Sequence, residues 1–86
     1  MNINELIKIV KNKLEAKIII QDLKIEDKSF LHKNHKGNQE GMFHLKLIIK
    51  SEELKKLNKI ESTKKIYNIL DYELKEHIHS IQILLS

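Results

Sequence analysis

The chain of 86 residues carries 16 basic side chains, every one a lysine, against 12 acidic ones, which gives a formal net charge of +4 with its five histidines neutral. That length has room for one small domain, residues 1–86, with a thin core, and the lack of any cysteine excludes a disulfide framework, a CxxC redox pair, a thiolate zinc finger and a cysteine nucleophile. No run approaches the ~18 apolar residues of a membrane span and no signal-peptide core opens the chain, so a soluble, cytoplasmic protein without membrane attachment is expected.

The basic excess is small, and arginine, the side chain best suited to forked recognition of bases and phosphates, is missing altogether. Ile, Lys and Asn make up 38 of the 86 residues, a bias that looks genomic rather than functional.

Taken in order, Asn4 to Ala16 carries Ile3, Leu6, Ile7, Val10 and Leu14 at steps of three and four. This is one apolar stripe on a helix, with Asn4 as its expected N-cap. Ile18, Ile19 and Ile20 open a β-branched run through Leu23 and Ile25 that predicts a strand. Glu26 to Gly41, about sixteen residues, is polar and holds both glycines, so an exposed loop is expected. Connections of that length in so small a domain are usually either functional or mobile.

Met42 to Lys50 alternates, with Phe43, Leu45, Leu47 and Ile49 on one face and His44, Lys46 and Lys50 on the other. Ser51-Glu52-Glu53-Leu54 reads as a capped helical turn. A lysine-rich turn to Glu61 follows, with Leu54, Leu57 and Ile60 expected to point inward. A helix from Ser62 or Thr63 carries Ile66, Leu70 and Leu74, with Glu61–Lys65 and Asp71–Lys75 as favourable pairs. His77 to Leu85 closes the chain as a strand, with His79, Ile81, Ile83 and Leu85 sharing one face and Ile78, Ser80, Gln82 and Leu84 the other. The predicted order is α-β-β-α-α-β, an α+β domain with helices on one face of a three-stranded sheet.

Histidines are the residues here that could carry chemistry, because neutral imidazole binds metals and titrates near neutrality. His32 and His35 form an H-x-x-H pair in the long loop, a spacing that more often marks two solvated polar residues than a site. His44 falls on the polar face of its strand and is expected to be solvated, and His77 to be a surface residue of the last junction. His79 shares a face with apolar residues, so it is either a satisfied core-edge histidine or one held in place for a purpose. Lys55, Lys56, Lys59, Lys64 and Lys65 cluster on the turn and the first turn of the next helix. They form either a solvated face or a phosphate-contacting surface without aromatic stacking residues. No Gly-rich phosphate loop, HExxH or nucleophile elbow is present.

Three segments in sequence, EDKSFLHKNHKG (Glu26–Gly37), MFHLKLIIKSEEL (Met42–Leu54) and KKIYNILDYELKEHIHSIQI (Lys64–Ile83), resemble the BolA family. They are similar to its D-x-S-x-x-H segment, its aromatic-led second strand with a Ser-acidic turn, and its closing helix followed by a V-H-A-L strand. The likeness runs from about Glu5 to Leu85 and implies a KH-like α-β-β-α-α-β fold. His79 stands at the position of the family's hallmark histidine. The helix entry that often reads R-H-R is Ser62-Thr63-Lys64 here, the preceding glycine is Lys56, and Met42 stands for the histidine of an H-F pair.

The resemblance implies an adaptor of iron–sulfur metabolism, not an enzyme, that pairs with a monothiol glutaredoxin. In such a pair a [2Fe–2S] cluster is shared with the glutaredoxin cysteine and glutathione, with the hallmark histidine, here His79, and a second loop residue as the other ligands. Without cysteine that second ligand is His35, or else His32, and the isolated chain, a monomer or weak homodimer, is expected to hold no cluster. The alternative is a nucleic-acid-binding transcriptional regulator that uses Lys55, Lys56, Lys59, Lys64 and Lys65.

Overall fold

The computed structural model describes residues 1–29 and 42–86. The first helix, α1, spans Ile3–Lys17, and its cap is Asn2 rather than Asn4. The Asn2 side-chain oxygen accepts the Glu5 N–H at 2.8 Å while its amide donates to the Glu5 carboxylate at 3.1 Å. This reciprocal cap pulls Asn4 inside the first turn. The apolar stripe behaves as its spacing predicts, with Leu6, Val10 and Leu14 fully buried.

Strand β1 is Asp22–Asp27, shorter at its start and longer at its end than the sequence suggests. Ile18 caps α1 instead of opening a strand, its N–H reaching the Leu14 carbonyl at 2.9 Å. Ile19 is exposed. The connector is clamped to the next helix instead: Ser51 Oγ donates to the Ile19 carbonyl at 2.7 Å, and the Ile19 N–H donates to Glu53 at 3.3 Å. Glu26 and Asp27, expected in the loop, lie in the ladder opposite Lys46 and Leu45.

Strand β2, Phe43–Lys50, is the centre of a three-stranded sheet, antiparallel to β1 and parallel to β3, Ile78–Leu85. Parallel neighbours need a crossover. Three helices supply it here: α2 (Glu52–Lys55), α3 (Lys59–Ile69) and α4 (Asp71–Glu76). Leu45, Leu47 and Ile49 of β2 meet Leu6, Val10 and Leu14 of α1, Leu54 of α2, Ile66 of α3 and Leu70 in one buried cluster. The helices therefore cover one sheet face, as the alternation of β2 requires. The α+β architecture agrees with the sequence reading.

The crossover is where that reading needs correction. Asn58 caps α3, its side chain accepting the Glu61 N–H at 2.8 Å, so the helix begins at Lys59, several residues before Ser62. An earlier start turns Ile60 outward, and it is 68% exposed rather than pointing into the core. The helix expected to run through Asp71 breaks at Leu70, whose backbone (φ −99°, ψ 18°) separates α3 from α4. Asp71 and Lys75 pair at 3.1 Å as their spacing predicts, whereas Lys65 reaches Glu53 at 2.8 Å. Tertiary packing thus offers Lys65 a partner on α2 in preference to one on its own helix.

The Lys65 ammonium hydrogen-bonded to Glu53, helped by the Ile19 N–H, holds the Glu53 carboxyl below the ordinary carboxylate range. A carboxyl lowered on folding stabilises the native state at pH values above its unfolded pKa, about 4.3 for a glutamate, and loses that contribution as pH falls through the lower folded value. Glu53→Gln should therefore flatten the dependence of stability on pH below about 4.3, measured by thermal unfolding across an acid series. An unchanged acid limb would show that Lys65 and Ile19 do not hold this carboxylate in solution.

Candidate functional site

His79 is not on the packed face of β3, as strict alternation would have it. The β2–β3 register pairs Phe43 with Ile78 and then His44 with Ser80, so His79 is an extra residue in the ladder. One inserted residue reverses the facing of everything before it. Ile78 consequently joins the core, Ile81, Ile83 and Leu85 stay half-buried against it, and His79 is left exposed.

The second correction concerns His44, which is 4% exposed and not solvated. Its N–H donates to Ser29 Oγ at 3.1 Å, and its carbonyl accepts the Lys28 N–H at 2.7 Å. Its ring Nδ1 and Ser80 Oγ share a hydrogen bond of 2.6 Å. The His79 ring lies beside it, with centroids 5.0 Å apart and planes inclined at 52°. Two imidazoles from neighbouring strands thus meet at one end of the sheet, a buried one carrying an exposed one. Beside them a recess of about 360 Å³ has Lys28, Lys46 and Gln82 among its walls.

Sequence reasoning singled out His79 but missed His44 and Ser80. The missing signal was register: His44 faces Ser80 only because β3 lies parallel to β2 with one residue slipped. His32 and His35 lie outside the described residues. His77 caps the end of α4, half-buried, with its ring edge-on to Tyr72 at 5.7 Å and its carbonyl accepting the Phe43 N–H at 2.9 Å. It forms the junction between α4 and β3.

The lysine cluster divides. Lys65 is half-buried and bound to Glu53, while Lys55, Lys56, Lys59 and Lys64 are exposed around the turn between α2 and α3. A groove there is lined by Lys55, Lys59, Ser62 and Thr63 together with the apolar end of β3. A further ion pair escaped the sequence: Lys13 of α1 binds Glu73 of α4 at 2.6 Å, with Glu73 only 3% exposed. Lys13 also lies 5.9 Å above the Tyr72 ring, and the pair ties the first helix to the last.

Comparison with known proteins agrees with this fold. The DNA-binding transcriptional regulator BolA of Haemophilus influenzae is 30% identical over 75 residues, covering 87% of this chain and 70% of that protein. Among solved structures, the BolA domain of SufE1 from Arabidopsis thaliana superposes with a TM-score of 0.78 at 26% identity, covering 100% of this chain and 93% of that one. BolA1 from the same plant gives 0.75 at 26% identity, covering 90% and 85%. A bol-like protein from Babesia bovis, at 17% identity, shares the fold with a TM-score of 0.70 over 91% of this chain and 79% of that one. The family model described as BolA-like protein matches residues 14–86, from the last turn of α1 through β3, and the chain belongs to that family.

Proposed function

We propose that this protein is an adaptor of iron–sulfur metabolism, not an enzyme, which pairs with a monothiol glutaredoxin and offers His79 as a ligand to a [2Fe–2S] cluster shared between the two. One observation carries the reading: His79 is exposed at a ladder irregularity, on a strand anchored by the buried Ile78, and its ring rests on a second, buried histidine. Family membership supports it, together with the resemblance of the last segment to the family's closing strand, which implies His79 as the hallmark histidine.

The residues present fit one corner of such a site. A neutral imidazole suits iron, and replacing thiolate by imidazole reduces the negative charge on a cluster and raises its potential, as Rieske-type ligation does. When bound, the cluster would supply one-electron or transfer chemistry. This chain's part is to present His79 from a rigid strand. The second ligand from this side is His35, with His32 as the other candidate, and the partner cysteine and glutathione supply thiolates. Co-purification with a monothiol glutaredoxin in the presence of glutathione, followed by an absorption spectrum, tests the reading. A stable heterodimer with histidine-perturbed charge-transfer bands is the expected result, and failure to form any complex would overturn it.

A second reading, nucleic-acid binding, is favoured by the name of the Haemophilus relative and by the exposed lysines around the α2–α3 turn. Four lysines free to meet phosphates give weak, sequence-indifferent binding whose logarithm falls with log salt at a slope of about −3.6, or about a hundredfold between 50 and 200 mM. A salt titration by fluorescence anisotropy measures this. Sub-micromolar, sequence-selective binding at physiological salt would place this reading first.

A further inference from the structure

We infer that His44 is a positioning residue for His79, held in that role by Ser80; the inference rests on the reading of His79 as a ligand. An exposed histidine has two side-chain torsions, and its backbone fixes neither. What restrains the His79 ring is the His44 ring beside it, 5.0 Å away and tilted by 52°. Among the described residues, His44 in turn is pinned through its N–H to Ser29 Oγ, its carbonyl by the Lys28 N–H, and its ring Nδ1 to Ser80 Oγ at 2.6 Å. Ser80 is the residue next to His79 in the chain. The restraint is therefore a closed circuit, running from the His79 backbone to the Ser80 hydroxyl, across to the His44 imidazole and back to the His79 ring.

Such a circuit does for a ligand what outer partners do in metal sites generally. It selects one ring direction before the metal arrives, so that ordering the ligand is not charged against binding. Nothing in it requires His44 to touch the metal. Its Nδ1 is already engaged, and its ring is buried beneath the one that is exposed. The hydroxyl of Ser80 matters because it sets the rotation of the His44 ring, and through it the tilt of His79.

The test uses the full chain labelled with ¹⁵N and ¹³C, alone and then with the glutaredoxin. In the free protein, side-chain couplings and ring relaxation of His79 should report one dominant rotamer. Ser80→Ala and His44→Ala should each broaden this into averaging, and His44→Phe, which restores a ring of similar bulk, should recover part of the order. In the complex, His44→Ala should keep the cluster content within about twofold while spreading the g-values of the reduced cluster. Equal order of the His79 ring in wild type, Ser80→Ala and His44→Ala would overturn the proposal. So would complete loss of the histidine-ligated spectrum in His44→Ala, which would make His44 a ligand. Should His44→Ala fail to fold, Ser80→Ala, which removes one hydroxyl from an exposed position, decides the matter alone. Failure of the ligand reading shows elsewhere, as an unchanged cluster spectrum in His79→Ala, and leaves the free-protein measurement standing.

Discussion

His79→Ala is expected to leave the domain folded and to abolish the histidine-ligated cluster in the complex with a monothiol glutaredoxin. The two halves of that expectation have separate grounds. The side chain is exposed and adds an extra residue to the β2–β3 ladder, so truncating it opens no cavity and breaks no ladder pairing. Surface changes of this kind stay within about 0.5 kcal/mol. On the proposed function, the cluster loses a ligand that His44 cannot replace in place, because His44 is buried and tied to Ser80. Denaturation midpoints of wild type and variant should coincide, while visible absorption and circular dichroism of the complex lose their histidine-dependent bands. The same cluster assembled by His79→Ala would leave His79 as a sheet-end histidine and remove the central residue of the proposed function. Within the same experiment, His35→Ala should weaken the bands more than His32→Ala.

Leu47→Ala is expected to destabilise the domain by about 2–5 kcal/mol, the range for emptying a fully buried leucine site. Leu47 has no solvent exposure and lies mid-strand in β2, opposite Ile25 on one side and Ile83 on the other. The helical layer closes over that face, so the cavity has no open side through which the structure could collapse easily. For a domain of this size, with a total stability in the range of about 5–15 kcal/mol, the loss is a large fraction of the whole. Urea unfolding followed by far-UV circular dichroism measures it, and a cost below about 0.5 kcal/mol would show that the face assignment is wrong.

Both outcomes depend on the same strand, and its two faces explain how the fold serves the site. The covered face of β2 supplies the packing that keeps the sheet rigid. On the other face, at the end nearest His79, a single histidine is buried and hydrogen-bonded. A side chain placed one residue into β3, as His79 is, thus borrows the stiffness of a central strand without belonging to the core.

Much of this was legible in the residues. The stripe of Leu6, Val10 and Leu14, the alternation of Leu45, Leu47 and Ile49, and the Ser51 cap each follow from a local periodicity or a local hydrogen bond, and each appears where its spacing says. Misreadings fell where two local signals competed. Asn2 and Asn4 both suit a cap, and the glutamate three residues on favours Asn2, whose side chain and Glu5 satisfy each other. The isoleucine run after α1 has strand propensity, yet Ile18 is used as a helix end and Ile19 is held outside by Ser51 and Glu53. Ile60 fits an inward turn only if α3 starts later than Asn58 allows.

By itself, then, the sequence determined the α+β class, the second strand and its buried face, and the family, whose motifs lie in order along the chain; that this strand is the central one came from the tertiary structure. The class and the buried face are properties of periodicity, read within a window of ten or so residues, whereas the family comes from the likeness of three separate segments in their order along the chain. Tertiary structure alone decided that His79 stands outside the core, that His44 lies beneath it, and that Ser80, Lys65 and Glu73 have the partners they do. Each of those rests on which residue of one element faces which residue of another. A single slipped residue in a parallel ladder reverses the facing of a whole strand end, and no pattern within β3 alone records which way that slip falls.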